Sequence, residues 1–138
     1  MPFVLDASIS ACWAFEDEDH PDATLALERI RSDEARVPSQ WWFEVRNTLI
    51  VNERRGRLTD GDTAAFLRGL SRLGITIDRS PDEAAVLTLA RRHRLTVYDA
   101  SELELAQRAS IPLAALDSDL ARAAHAERVV ILDTGGTA

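Results

Sequence analysis

The 138-residue chain contains no lysine: all 16 of its basic residues are arginine. This absence removes Schiff-base chemistry, a phosphate-loop lysine and any mechanism built on a catalytic ammonium. A single cysteine, Cys12, excludes an internal disulfide, and no CxxC or Cys/His cluster is present to hold zinc. Such usage suits a reducing compartment, and the cytoplasm is the expected location. No apolar run approaches the roughly 20 residues needed to span a bilayer, and residues 1–6 form no basic leader, so neither export nor membrane insertion is expected. Positive charge is also scarce, since 23 acidic residues give a net charge of −7. General adsorption to nucleic acid or anionic lipid is therefore disfavoured, and any nucleic-acid chemistry has to be local.

What is present is enough apolar residues, 46%, to bury a core without cross-links. One domain is expected over residues 1–133, with a flexible tail at 134–138 where Gly135 and Gly136 pack little. Phe3-Val4-Leu5 predicts a buried strand that runs into Asp6-Ala7-Ser8, a turn and then a helix. The acidic stretch from Glu16 to Pro21 breaks that helix and reads as a solvated loop, and a second helix begins at Asp22. Residues 36–38 suggest a strand. Ser39 then caps a helix through Trp41, Trp42, Val45 and Leu49 that stops at Arg55-Gly56. Thr59 and Asp62 form a box-like start to a helix reaching Leu73, with Gly74 as its stop. Residues 75–77 alternate as a strand, and Pro81-Asp82-Glu83 opens a helix whose basic end holds Arg91, Arg92, His93 and Arg94. A further helix runs from Asp99 to Ala109, a strand covers 113–116, a helix covers 118–125, and a last strand covers 129–132. Short apolar strands alternating with helices predict a three-layer α/β/α sandwich around a mainly parallel sheet.

In open parallel sheets, ligands bind at the carboxyl ends of strands where strand order reverses. Asp6 and Asp117 each follow an apolar strand, Asp99 stands at the start of its helix, and Glu44 lies on a helix face shared with Trp41, Thr48 and Val51. Arg46 apart, no basic residue accompanies these acids locally, so gathering them would raise their pKa values unless a cation neutralised them. Oxygen-only ligands select Mg²⁺ or Mn²⁺, which keep several waters and bind phosphate oxygens. Each aspartate has an alternative role as a helix cap. Glu44, among apolar neighbours, would bear a desolvation cost without a partner. A phosphoaspartyl enzyme also places an aspartate after its first strand, but its site depends on a lysine that this chain lacks.

Val4-Leu5-Asp6-Ala7-Ser8, Phe43-Glu44-Val45-Arg46-Asn47, Tyr98-Asp99-Ala100-Ser101 and Leu116-Asp117-Ser118-Asp119-Leu120 resemble, in this order and over essentially the whole chain, the PIN domain. More narrowly they resemble the VapC toxins of toxin–antitoxin pairs. The resemblance implies an endoribonuclease using Mg²⁺ or Mn²⁺ on Asp6, Glu44, Asp99 and Asp117, with Asp119 as a peripheral acid. It also implies supporting roles for Ser8 and Asn47, an antitoxin partner and a homodimer. Two positions depart from the family pattern. Ala115 stands where a threonine is common, and Glu102 stands where tyrosine or an aliphatic residue is common. Glu102 could add a ligand, disturb the pocket or weaken a dimer contact. Arg46, Arg54, Arg55 and Arg57 form the candidate RNA-backbone contact set, with a solvated helix face as their alternative. A non-catalytic PIN-like module that binds RNA or protein is the rival reading of the whole.

Overall fold

Phe3, Val4 and Leu5 are all fully buried, and in the computed structural model, which describes residues 1–15 and 20–132, they form the central strand β1 (Phe3–Leu5). The expected acidic loop at Glu16–Asp19 and the expected tail at 134–138 lie outside the described residues. Alternation along β1 sends Phe3 and Leu5 into one apolar cluster and Val4 into another, so the strand is covered on both faces. Its neighbours are β2 (Ala35–Pro38) and β4 (Leu113–Ala114), and β3 (Ile75–Asp78) lies outside β2, all parallel in the order β3-β2-β1-β4. The register places Phe3 opposite Ala35 and Leu5 opposite Ala114.

Helices α1 (Ala7–Cys12), α2 (Pro21–Arg29), α3 (Gln40–Arg54) and α4 (Asp60–Leu70) contribute Ile9, Ala26, Leu49 and Leu70 to the first cluster. The second cluster takes Leu89 from α5 (Glu83–His93), Leu103 and Leu105 from α6 (Val97–Ala109), and Leu120 from α7 (Ser118–Ala126). Two helical layers thus enclose a parallel sheet, as the alternation of elements predicts. Leu103 is fully buried. Leu103→Ala is expected to cost about 2–5 kcal/mol, read as a lower urea midpoint at unchanged slope. A loss below about 1 kcal/mol would show that the α6 layer is not close-packed.

Boundaries differ from expectation where backbone bonding decides them. Strand 113–116 shortens to Leu113–Ala114, and strand 129–132 reduces to one parallel bridge between Ile131 and Leu113. Arg128 explains the second change: it sits at φ 61°, and the Val129 N–H turns back to the Ala124 carbonyl at 2.8 Å, which delays the approach to β4. Helix α6 starts at Val97, two residues before Asp99, because the Thr96 hydroxyl caps it. The helix predicted from Thr59 to Leu73 ends at Leu70, although its capping box between Thr59 and Asp62 is present in both directions. Ser39 occupies the N-cap position of α3 with helical dihedrals and no side-chain cap bond.

Candidate active site

Chain order supplies the location of the site. From β1 the chain moves outward to β2 and β3, then crosses back to place β4 on the other side of β1. A crevice therefore opens between the carboxyl ends of β1 and β4, at the reversal point. Asp6 is the first residue beyond β1, its N–H bonded to the Ala114 carbonyl at 3.0 Å, and Asp117 follows β4 after Ala115 and Leu116. An open cleft of about 460 Å³ lies there, lined by Asp6, Ser8, Glu44, Thr48, Asp99 and Asp117 together with Ala7 and Leu116. A hollow of similar size, about 440 Å³, lies by the opposite strand ends beside Met1, Pro112 and Val130, and no comparable set of acids lines it.

Two hydrogen-bonded ties hold Glu44 above this cleft. The indole of Trp41 donates to Ser10 Oγ at 2.9 Å, and Ser10 Oγ donates to the Asp6 carbonyl at 3.2 Å, joining α3 to the end of β1. On the other flank the Gln40 amide donates to Ser101 Oγ at 2.5 Å and to the Tyr98 carbonyl at 3.1 Å, joining α3 to α6. Glu44 stands one turn further along α3, between the two ties, and faces both Asp6 and Asp99. The Ser8 hydroxyl donates to the Asp6 carboxylate.

Capping accounts for one of the four acids. Asp117 Oδ1 accepts from the Asp119 N–H at 2.9 Å and so caps α7. Asp6 occupies the N-cap position of α1 but makes no side-chain cap bond. At α6 the Thr96 hydroxyl accepts from the Asp99 N–H at 3.1 Å, which leaves the Asp99 carboxylate available to the cleft.

Electrostatically the cleft is a field of like charges. Burial, followed by the charges of Asp6 and Asp99, pushes Glu44 up to about 7. Burial and then a hydrogen bond with Asp117, assisted by the charges of Asp117, Asp6 and Asp119, pushes Asp99 up to about 6. The charged groups acting on both are carboxylates alone. Glu44 Oε1 is also closed off from solvent without a hydrogen-bond partner. Among the described residues, no three His, Cys, Asp or Glu side chains already form a ready-made cage for an ion. The residues nevertheless fit a hard divalent cation: the donors are all oxygens, one buried oxygen lacks a partner, and Mg²⁺ binds through one or two carboxylates while keeping its waters.

The PIN domain family profile matches residues 3–126. This chain is a member of the PIN domain family. PIN domains are generally nucleases and generally use divalent metals. Two solved structures share the PIN fold of this chain at low sequence identity. PAE2754 from Pyrobaculum aerophilum is 19% identical, with a TM-score of 0.73 over 97% of this chain and 91% of the other. FitAcB from Neisseria gonorrhoeae is 13% identical, with a TM-score of 0.67 over 98% of this chain and 99% of the other. No curated protein sequence matches significantly.

The cleft of this PIN domain brings together Asp6, Ser8, Glu44, Asp99 and Asp117, and Asp119 is close enough for its charge to act on Asp99. It does not bring in Asn47, which is exposed; Thr48 lines the cleft instead, its hydroxyl donating to the Glu44 carbonyl at 3.0 Å. Helical geometry explains the choice, since a position four residues on returns to within about 40° of Glu44. Arg46, two residues on, points elsewhere and stacks its guanidinium over Trp42 at 3.9 Å from the ring centroid. Arg54 and Arg55 are exposed at the end of α3, about 15 Å along its axis from Glu44. Arg57 lies over the Phe15 ring at 4.3 Å and donates to Asn52.

Glu102 is the residue whose placement the sequence left open. It is 1% exposed, and burial followed by Asp6, Glu44 and Asp99 pushes it well above the usual carboxylate range. Its signal is position: it lies one turn beyond Asp99, on a helix buried all round from Ala100 to Ala106.

Proposed function

We propose that this PIN domain is a Mg²⁺- or Mn²⁺-dependent endoribonuclease acting as the toxin of a toxin–antitoxin pair. The observation that carries this reading is the convergence of Asp6, Glu44, Asp99 and Asp117 on one open cleft with only carboxylates acting on Glu44 and Asp99. These four acids would hold the ion, with Asp119 at the edge. When bound, a divalent cation supplies Lewis-acid activation of water and neutralises charge on the scissile phosphate. Ser8 fixes the Asp6 carboxylate from the solvent side, and Thr48 braces the turn of α3 that presents Glu44. The openness of the cleft suits a polymer whose backbone passes across it. Arg46, Arg54 and Arg55 are the proposed contacts to flanking phosphates.

Further partners belong to the same proposal. Trp42, Phe43 and Ile50 on α3 and Val97 and Tyr98 on α6 are exposed apolar side chains, which supports a protein partner: an antitoxin, a second copy of the chain, or both. No helix among the described residues is long and apolar enough to cross a membrane. Cytoplasmic residence and a single domain over residues 1–133 complete the reading. Purified protein incubated with structured RNA is expected to cut it with Mg²⁺ or Mn²⁺ and not with EDTA, and expression is expected to arrest growth until the antitoxin is supplied. Metal binding without cleavage of any RNA would favour the non-catalytic module, which draws support from the missing ready-made cage and from Ala115 in place of a hydroxyl.

A further inference from the structure

Helix α6 buries two glutamates within one turn, and their surroundings differ. Glu104, 2% exposed, receives the Arg108 guanidinium at 2.6 Å, and Arg108 in turn reaches Asp78 at 3.1 Å. Glu102, 1% exposed, has no such cation: it shares a hydrogen bond with Asp6, and the charges acting on it are those of Asp6, then Glu44, then Asp99. Its Oε2 is buried without any hydrogen-bond partner. Among the described residues, the only other buried side-chain atom in that condition is Glu44 Oε1, and Glu44 is one of the acids acting on Glu102. Glu102 does not itself line the open cleft, but the acids acting on it, Asp6, Glu44 and Asp99, all do. Two orphaned carboxylate oxygens near Asp6, with no arginine supplied as Arg108 is to Glu104, mark a place where a cation is the missing partner.

We propose that Glu102 is a fifth metal-binding carboxylate, which together with Asp6 and Glu44 offers oxygen to a divalent cation from the buried side of these acids. The proposal rests on the reading of the acid cleft as a metal centre. It adds a ligand at a position where the family pattern described above has tyrosine or an aliphatic residue. A hard cation accommodates this addition, because its affinity grows with the number of carboxylates that can reach it.

Titration of Mn²⁺ into the metal-free full chain at pH 7.5, by calorimetry and by the Mn²⁺ electron paramagnetic resonance signal, tests it. Glu102→Gln keeps the size and shape of the side chain, and Glu102→Leu keeps it buried without polar atoms. Asp99→Asn serves as the reference for losing a ligand of the centre. Both Glu102 variants are expected to bind Mn²⁺ at least tenfold more weakly than the wild type, while their metal-free melting temperatures equal or exceed its own. Affinity within threefold of wild type in Glu102→Gln, with Asp99→Asn weakened, would overturn the ligand assignment and leave the metal centre standing, since a glutamine can still hydrogen-bond Asp6. If the wild type itself takes up no Mn²⁺, the centre and the fifth ligand fall together.

Discussion

Asp99→Asn and Asp6→Asn are each expected to lower the rate of Mg²⁺-dependent RNA cleavage on the order of 100-fold or more, with little change in fold. The amide keeps the volume and one oxygen of each side chain but removes the negative charge that would hold the cation. Asp99 is the sharper case, because its helix is capped by Thr96 and does not need the Asp99 side chain. Its substitution therefore tests chemistry rather than helix formation. Asp117 is less suitable, since its side chain caps α7 and a loss of activity there would mix two causes. Cleavage of a labelled structured RNA, with circular dichroism as the control for folding, is the measurement. Wild-type rates in both variants would remove the carboxylates from the mechanism.

The second large effect concerns pH in the absence of metal. Glu44 is pushed up from 4.5 to about 7, and Asp99 from 3.8 to about 6. A carboxyl whose pKa is higher in the folded chain than in the unfolded one binds its proton more tightly when folded. Its contribution to stability is therefore full below the unfolded value and fades as pH rises through the folded value. For Glu44 the window runs from about 4.5 to about 7. Both groups are partly exposed, so solvent screening reduces the contribution to about 1–2 kcal/mol each. Glu127 acts in the opposite sense: His93 and then Arg92 hold it down at about 2, so its contribution is full above about 4.5 and is lost as pH falls from there to about 2. Glu44→Gln isolates the relevant group. In EDTA the variant is expected to melt with the wild type at pH 4 and several degrees above it at pH 8, where the wild type carries the buried charge. Saturating Mn²⁺ is expected to raise the wild type at pH 8 and so reduce or reverse that gap. A difference between the two proteins that does not change with pH would show that Glu44 is not held in a field of acids.

Much of this arrangement was legible in the residues. Phe3-Val4-Leu5 followed at once by Asp6 has one reading, because a wholly apolar triplet before a polar turn is a covered strand that ends at the sheet edge. Asp62 three residues after Thr59 likewise announces its cap. Glu44 and Thr48 fall on one face of α3 through helical periodicity alone. Other features depend on partners remote in sequence. The length of β4 is set by which backbone groups Leu113 shares with β1 and with Val130, and an apolar run from 113 to 116 does not show where that sharing stops. Thr96 and Asp99 both qualify as the cap of α6, and only the backbone path decides between them. Glu102 and Glu104 are two glutamates in the same turn, and the difference between them lies in Arg108 and Asp78 on one side and Asp6 on the other.

The four cleft acids come from the end of β1, the first long helix, the start of α6 and the segment after β4. No contiguous half of the polypeptide holds all of them, and Asp117 reaches Asp6 only once β4 has docked alongside β1. During translation, then, a growing chain emerging from the ribosome cannot bring these four acids together until β4 is free to pair with β1. Any activity that needs all four acids would therefore stay off until residues 113–117 have left the ribosome and β4 has paired.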